Sequence, residues 1–121
     1  MPLLQPEVLS EQIDADSARL QLRISPELEY FRGHFADFPI LPGVVQLNWA
    51  VDFARRFFGV AGRFLALDNL KFQAPIRPTV DVQLQLRWDS AKSQLEFSYS
   101  DPTRKYSSGR VQFGASGEQS Q

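Results

Sequence analysis

The sequence contains no cysteine, so disulfide bonds, thiolate catalysis and cysteine metal sites are excluded. It contains a single histidine, His34, which cannot build a histidine-rich metal centre. No segment approaches the roughly 18 uninterrupted apolar residues of a membrane span. The first residues also lack the basic region and apolar core of a signal peptide. We therefore expect a cytoplasmic protein that does not interact with membranes.

A charge bias is also missing, because 13 Lys and Arg residues face 14 Asp and Glu residues, for a net charge of −1. Such a chain has no global positive field for nucleic acid, and we expect no nucleic-acid partner. Its 121 residues, 43% of them hydrophobic, suit one domain with its own core. We predict a single domain over residues 1–121, with a small, polar and disordered tail at 115–121.

The order of sequence patterns predicts an α+β fold with one long helix. Apolar and polar residues alternate over 18–24, which indicates a half-buried strand. A helical pattern runs over 42–58, with Pro42 suited to its first position and Gly59 to its C-terminal cap. Strand patterns then follow one another at 64–72, 80–88, 95–99 and 104–113. The single helix is predicted to lie across an antiparallel sheet, because nothing else can cover the apolar face of the sheet.

The segment from Phe31 to Ala50, "FRGHFADFPILPGVVQLNWA", holds the candidate chemistry. His34 is the natural candidate for acid–base work near neutral pH. Gly43 lies where a helix begins, so its N–H has no partner within the helix and the macrodipole favours negative charge there. An enolate oxygen held against that N–H would gain roughly 3–4 kcal/mol. A base and an oxyanion donor suffice to remove a proton α to a thioester carbonyl, although a structural histidine and an ordinary turn explain the same residues.

The stretch "GHFADFPILPGVVQLNWA" resembles the signature of the β-hydroxyacyl-acyl-carrier-protein dehydratases. That signature is Gly-His-Phe-Pro, two variable residues, Pro-Ile-x-Pro-Gly-Val, and an acid fourteen residues after the histidine. "LKFQAPIRPTVDVQL" resembles the strand and bend that follow in the family, and "PILPGVVQL" is most similar to the dehydratase-like proteins encoded with aryl polyene pathways. The resemblance implies the hotdog fold, in which an antiparallel sheet wraps around one helix. It also implies a second copy and an acyl tunnel at the dimer interface.

The same resemblance implies a role for individual residues. His34 would be the catalytic histidine and Gly43 the oxyanion donor. The substrate is expected to contact four neighbouring residues, Phe35, Pro42, Val44 and Trp49. The implied reaction converts a (3R)-hydroxyacyl thioester to the trans-2-enoyl thioester, in fatty acid or aryl polyene type biosynthesis, without metal or cofactor. Its partners would be acyl carrier protein or an acyl-CoA thioester, and the chain would form a homodimer or a dimer-based higher oligomer.

The sequence departs from the family pattern at two places. Ala36 and Asp37 stand where the family usually has Pro-Gly, and Asn48 stands at the position of the acid. An amide cannot transfer the proton that a carboxylic acid handles. Loss of a general acid typically costs roughly 10²- to 10⁴-fold in rate. Whether the expected reaction takes place therefore depends on how the chain works with an amide, Asn48, in place of the acid.

Three interpretations of Asn48 remain open from the sequence. In the first, His34 performs both proton transfers and Asn48, as a catalytic residue, orients the substrate. In the second, Asp52 supplies the carboxylate from one turn further along, although its spacing to Arg55 and Arg56 also predicts an ion pair on the helix surface. In the third, the protein is a thioesterase or a non-catalytic acyl-binding protein of the same fold.

Basic residues are expected near the mouth of the predicted site. Carrier proteins are acidic, so a positive surface would favour docking, while a solvated surface is the ordinary alternative. The residues concerned are Arg32, Arg55, Arg56, Arg63 and Lys71.

Overall fold

The computed structural model of the chain describes residues 2–32 and 39–114. These residues form one long helix and six strands, and the predicted α+β class is confirmed. In chain order the elements are β1 (Glu7–Ile13), β2 (Ser17–Arg23), a 3₁₀ turn (Glu29–Phe31), α1 (Gly43–Phe58), β3 (Phe64–Phe72), β4 (Asp81–Asp89), β5 (Gln94–Asp101) and β6 (Arg104–Phe113).

All strands join one antiparallel sheet in the order β1-β2-β4-β5-β6-β3. Helix α1 packs on the middle of this sheet, against β4 and β5. Alternate residues of β4, namely Val82, Leu84 and Leu86, are buried, as the period of two along a strand requires. Ala50 and Ala54, one turn apart on α1, are fully buried. The predicted placement of the helix across the sheet is therefore confirmed.

The strands at 64–72 and 104–113 have the predicted bounds, whereas β1 was not predicted. Every residue of β1 is exposed, so its sequence shows no alternation of apolar and polar residues. The register with β2 also shifts between Val8 and Ser10. An edge strand with such an irregularity leaves no period-two signal. The tail predicted at 115–121 lies outside the described residues.

Both ends of α1 carry the predicted residues. Pro42 occupies the N-cap with a ψ of 145°, one position before the predicted one, and the helix begins at Gly43. Gly59 adopts the left-handed conformation, with a φ of 65°, and its N–H donates to the carbonyl of Arg55 at 3.1 Å. A residue without Cβ takes this conformation at little cost, which explains why the helix ends there.

The start of α1 and the adjoining end of β3 expose apolar side chains. We call these residues the β3–α1 patch: Ile40, Val44, Leu70 and Phe72, with exposed fractions of 38%, 63%, 40% and 53%. β3 is an edge strand, so its outer backbone groups have no partner strand within the described sheet. In the described ranges no helix has the length and apolar character needed to cross a membrane.

Candidate active site

The described part of the site is the start of α1 and the bend after β3. His34 and Phe35 lie outside the described residues, so their predicted roles as base and substrate contact stay predictions. Pro42, Gly43 and Val44 lie together at the helix start. The structure therefore tests the surroundings of the predicted oxyanion donor.

The peptide between Pro42 and Gly43 has a defined orientation. The Pro42 carbonyl accepts hydrogen bonds from the N–H groups of Val45, at 3.1 Å, and Gln46, at 3.2 Å. This peptide is trans, like every peptide bond in the described ranges. Because C=O and N–H point in opposite directions across a trans peptide, the Gly43 N–H points away from the helix. No acceptor among the described residues takes this N–H, which leaves a donor at the positive end of α1.

An apolar hollow of about 330 Å³ lies beside this donor. Its walls are residues 40–43 of the loop before α1, Gln46 of the first turn, and residues 72–75 at the end of β3. The volume lies in the range of small-molecule sites, which are mostly apolar with a few placed polar groups. A hollow of about 380 Å³ on the sheet lacks these features, because residues such as Arg19, Arg87 and Glu96 line it.

Phe72 forms a wall of the hollow and lies directly on Gly43. A Cβ atom at residue 43 would lie 2.8 Å from Cε1 of Phe72 and would also overlap its Cζ. Glycine is therefore the residue that lets the ring and the helix start approach this closely. Our sequence reasoning placed Phe72 in a strand but missed its position in the site. The signal was its place as the last strand residue before the bend "QAPIRPTV".

Gln46 is a second residue that sequence reasoning missed, and it holds the loop before α1. Its side chain is 3% exposed. Its Nε2 donates to the Leu41 carbonyl at 3.1 Å, and its Oε1 accepts from Ser107 Oγ at 2.6 Å. The Tyr99 hydroxyl donates to the backbone carbonyl of Gln46 at 2.6 Å. Buried polar groups are costly unless they are paired, and every polar atom of this side chain takes part in a hydrogen bond.

Asn48 and Asp52 lie on an exposed stripe of α1 that also contains Val44 and Arg56. Residues four apart lie above one another on a helix, so these side chains share one face. Asn48 is five residues from Gly43, about 7.5 Å along the helix axis. It does not line the hollow beside Gly43. In the described chain the amide and the predicted donor are therefore on separate surfaces.

The ion pair predicted between Asp52 and the two following arginines does not form. The Arg55 Nη1 donates to the carbonyls of Val60 and Gly62, both at 3.0 Å. The Arg56 guanidinium lies 5.0 Å from the centre of the Phe53 ring. Arg55 is bound by fixed backbone carbonyls and Arg56 by an aromatic ring, so neither pairs with Asp52. An ion pair with an exposed carboxylate contributes little stability in water.

Trp49 has a structural position. It is 2% exposed, and its Nε1 donates to the Leu4 carbonyl at 3.1 Å. The Tyr30 hydroxyl donates to the same carbonyl at 3.2 Å, and the two rings pack edge to face at 6.3 Å. This contact pins the N-terminal segment to α1. Trp49 does not line the hollow, and its predicted contact with substrate stays a prediction.

Two buried tyrosines support the walls of the site and have raised pKa values. Burial raises the pKa of Tyr99 well above its usual value. Burial, together with the hydrogen bond to Asp101, raises the pKa of Tyr106 to about 12. The hydroxyl of Tyr106 is also the main reason that the pKa of Asp101 falls to about 2. The Tyr106 carbonyl accepts from the N–H groups of Gln73, at 2.9 Å, and Ala74, at 3.3 Å, which fixes the bend beside the hollow.

Acidic side chains do not gather into a metal centre in the described ranges. No group of three or more such residues there could hold a metal ion. The polar groups at the described part of the hollow are backbone amides and the residues Gln46 and Gln73, which are hydrogen-bonding groups and not a ligand set for Zn²⁺.

In the described residues one long helix packs on a six-stranded antiparallel sheet, and this architecture is the hotdog fold. A family model for ApeI dehydratase, described as ApeI-like, matches residues 10–110. The chain belongs to this ApeI-like dehydratase family, and the predicted resemblance is confirmed.

Individual relatives agree with this assignment. The dehydratase heterocomplex ApeI:P from Xenorhabdus doucetiae superposes with a TM-score of 0.85 at 32% identity, over 92% of this chain and 99% of that one. An uncharacterized protein from Erwinia carotovora subsp. atroseptica superposes with a TM-score of 0.82 at 35% identity, over 91% and 96%. The 3-hydroxyacyl-[acyl-carrier-protein] dehydratase FabZ of Novosphingobium aromaticivorans is 30% identical over 96 residues. That alignment covers 72% of this chain and 58% of the relative.

Proposed function

We propose that the chain dehydrates (3R)-hydroxyacyl thioesters on an acyl carrier protein to trans-2-enoyl thioesters, in fatty acid or aryl polyene type biosynthesis. The observation that carries the proposal is the Gly43 N–H, which points out of the start of α1 beside an apolar hollow. Membership of the ApeI-like dehydratase family and the identity with FabZ support the same reaction.

The reaction needs one base and one oxyanion donor. The substrate thioester carbonyl would lie against the Gly43 N–H, and His34 would remove the α-proton. The carbon–oxygen bond at the β-carbon then breaks, and the leaving hydroxide takes up a proton to become water. Negative charge on the carbonyl oxygen is stabilised by roughly 3–4 kcal/mol if the donor geometry matches other oxyanion holes. The apolar walls strengthen this interaction because they exclude water.

Asn48 is proposed to hold the β-hydroxyl group by hydrogen bonds. His34 would then transfer the proton taken from the α-carbon to this leaving hydroxyl group. The amide both donates and accepts hydrogen bonds, but it cannot act as an acid. Asn48 is exposed on the stripe with Val44 and does not line the hollow of its own chain, so we expect it to contact a substrate held by a partner subunit. Asp52 lies one turn further on the same stripe without an ion pair among the described residues, and it is the alternative acid.

A second copy of the chain is the proposed cover for the β3–α1 patch. β3 is an unpaired edge within the described sheet, and such edges pair with other strands unless they are protected. The patch borders the hollow through Phe72 and Ile40, so a partner seated there would enclose the site. Pairing of two β3 strands would also bring the stripe with Asn48 towards the opposite subunit.

Substitution of Val44 tests the dimer. Val44 is 63% exposed, so Val44→Lys leaves the fold of one chain almost unchanged but places a charge in the proposed interface. We expect sedimentation equilibrium to show a dimer for the wild type and a monomer for this variant. Ile13→Lys is the matched control, because Ile13 is an exposed apolar residue on the opposite edge strand. A wild-type monomer, or dissociation by both substitutions, would contradict the proposal. If the chain associated only with a related chain, the proposed cover by a second copy would also be wrong.

The carrier protein is proposed to dock beside the end of β3. Of the five basic residues predicted for this role, Arg55 is engaged by two carbonyls and Arg32 lies 3.4 Å from Glu29. Lys71 is exposed and adjoins Phe72 at the hollow. A positive side chain at this point favours approach of an acidic carrier, chiefly through the association rate.

Turnover of a panel of 3-hydroxyacyl carrier-protein thioesters tests the reaction. We expect loss of one water by mass spectrometry, and the substitution His34→Ala to lower kcat/KM by at least about 10²-fold. Release of free thiol without enoyl product would indicate a thioesterase. Binding of acyl-pantetheine without either product would indicate an acyl-binding protein. Either result for the wild type contradicts the proposal.

Substitution of Asn48 then separates the remaining interpretations. Asn48→Asp supplies the acid of the family pattern. A rise of about 10²-fold or more in dehydration would show that the natural chain lacks a needed acid. An unchanged rate, with a large loss in Asn48→Ala, supports the proposed role of the amide. A loss in Asp52→Asn would instead assign the acid to Asp52.

A further inference from the structure

We infer that Gln46 is a positioning residue, which sets the direction of the Gly43 N–H by holding the two carbonyl groups that precede it. The inference rests on the proposed function, because the direction of that donor matters only for a ligand at the hollow. Gln46 does not carry out a proton transfer. It acts through the backbone of residues 41–43.

One residue holds two successive peptide groups. The Gln46 backbone N–H donates to the Pro42 carbonyl at 3.2 Å, and its side-chain Nε2 donates to the Leu41 carbonyl at 3.1 Å. The first bond orients the peptide that contains the Gly43 N–H. The second orients the peptide just before it. With both planes held, the donor at Gly43 has little freedom to rotate.

The holding residue is itself anchored to the sheet. Ser107 of β6 donates through Oγ to Gln46 Oε1 at 2.6 Å, and Tyr99 of β5 donates to the Gln46 carbonyl at 2.6 Å. These two residues face each other across the β5–β6 ladder. Exposed fractions of 3% for Gln46, 1% for Ser107 and 0% for Tyr99 show that water does not compete for these bonds.

The loop is fixed from its other side by the backbone. The Leu41 N–H donates to the Ile76 carbonyl at 2.7 Å, beyond the bend that forms a wall of the hollow. Leu41 is thus held at its N–H by the bend and at its carbonyl by Gln46. This arrangement is more than helix packing needs, since an apolar side chain at position 46 would fill the same volume without the two side-chain hydrogen bonds to the Leu41 carbonyl and to Ser107.

A preorganised donor matters because an oxyanion hole stabilises charge without rearranging during the reaction. If the peptide before Gly43 can rotate, the donor moves away from the position of the oxyanion. The expected signature is a loss in kcat with little change in KM, because the apolar walls that bind the acyl chain remain.

Gln46→Met is the informative substitution. Methionine has a similar length and keeps the backbone N–H bond to Pro42, but it removes the donor to Leu41. We expect kcat to fall about 10- to 100-fold, with KM within about threefold of the wild type. Ser107→Ala removes only the anchor of the side chain and is expected to lower kcat several-fold. It serves as a milder second variant if Gln46→Met does not fold.

Arg55→Met is the matched control, since it deletes side-chain hydrogen bonds at the other end of α1 and leaves the Leu41 contact intact. We expect it to lower Tm about as much as Gln46→Met while kcat stays within about twofold of the wild type. Equal losses of kcat in the two variants would show that Gln46 acts only through stability, and would overturn the inference.

The Gly43 amide resonance provides a readout that does not depend on turnover. In ¹⁵N-labelled protein we expect its chemical shift to change in Gln46→Met and to stay near the wild-type value in Arg55→Met. An unchanged Gly43 resonance in Gln46→Met would overturn the inference even if the enzyme is active. A wild type that forms no enoyl product would instead overturn the proposed function, and the resonance would still decide whether Gln46 orients the donor.

Discussion

The two ends of helix α1 are built in opposite ways. At its C-terminal end the chain satisfies the helix with its own groups: Gly59 turns left-handed and donates to the Arg55 carbonyl, and the Arg55 guanidinium donates to Val60 and Gly62. At its N-terminal end Pro42 supplies no side-chain cap and the first turn contains no acidic residue. The Gly43 N–H there has no acceptor among the described residues.

The C-terminal end of α1 is built for stability, whereas the N-terminal end is where we expect a ligand. A side-chain cap at the N-terminus stabilises a helix by about 1 kcal/mol. A cap or an acidic residue would also occupy the donor that an oxyanion needs. The protein instead fixes the backbone around this donor through Gln46, and no acceptor in the described ranges occupies the outer side of the donor. One end of α1 is therefore a structural terminus and the other is a preorganised donor.

The largest expected effect comes from removing the N-terminal donor itself. Gly43→Pro deletes the N–H, and proline is well tolerated at the first position of a helix. Pro42 already has a φ of −59° and a ψ of 145°, which suits a residue that precedes proline. We expect kcat/KM for dehydration to fall about 10²- to 10³-fold relative to a variant that keeps the N–H.

Gly43→Ala is that reference variant, because it adds a Cβ against Phe72 but retains the donor. Both variants place a carbon atom against the Phe72 ring, which is 53% exposed in the single chain, so displacement of the ring is common to the two and does not account for a difference in activity. Equal activities of Gly43→Pro and Gly43→Ala would show that the N–H contributes nothing and that only the space at residue 43 matters.

The next effect, at the C-terminal end, is on stability. Arg55→Met removes the charged donor to the carbonyls of Val60 and Gly62 and the contact of the guanidinium with the Phe113 ring at 5.2 Å. We expect the free energy of unfolding to fall by about 2 kcal/mol, since hydrogen bonds from charged groups are worth more than neutral ones. Urea titration measures this change, and kcat should stay close to the wild-type value.

Arg56→Met is the control, because Arg56 is the adjacent exposed arginine and only covers the rings of Phe53 and Phe57. Its loss should cost less than about 1 kcal/mol. If Arg55→Met lowered the free energy of unfolding no more than Arg56→Met, the hydrogen bonds of Arg55 would not be needed to stabilise the C-terminal end.

Alkaline pH should lower the free energy of unfolding through Tyr99, whose hydroxyl bonds the first turns of α1. Burial raises the pKa of Tyr99, so the folded state holds the neutral phenol where the unfolded chain, with an ordinary pKa near 10, ionises. The stabilisation is therefore complete below about pH 10 and is lost as pH rises above it, by about 1.4 kcal/mol per pH unit for one such group.

Urea unfolding at pH 8 and pH 11 tests this prediction. The loss of stability should be smaller in Tyr99→Phe than in the wild type, with a remaining part due to Tyr106, whose pKa is about 12. A pH dependence that is the same in Tyr99→Phe and in the wild type would contradict the burial of a neutral Tyr99 phenol.

The ends of α1 were largely predictable from sequence, but the support beneath its first turn was not. Pro42 and Gly59 indicate the helix ends in the sequence because their backbone preferences depend on no distant partner. Gln46 was overlooked because its partners, Leu41, Tyr99 and Ser107, meet it only after folding. The available signal was a glutamine four residues before the buried Ala50, and so on the buried face.

Errors on the surface have the same origin. The spacing of Asp52 to Arg55 and Arg56 predicts an ion pair, but local spacing does not show that carbonyls and aromatic rings will claim both arginines. β1 was missed because an edge strand exposed on every residue carries no alternation. The hollow at Gly43 needed the ring of Phe72, which joins it from another element.

The smallest expected effect isolates the backbone conformation that ends α1. Gly59 has a φ of 65°, and a Cβ added there would meet no atom within 4 Å. Any cost of Gly59→Ala is therefore conformational, and we expect the free energy of unfolding to fall by about 1 kcal/mol. Gly59→Asn should cost less, because asparagine visits the left-handed region more readily than alanine. Urea titration distinguishes the two, and equal losses would show that the left-handed φ is not what limits this position.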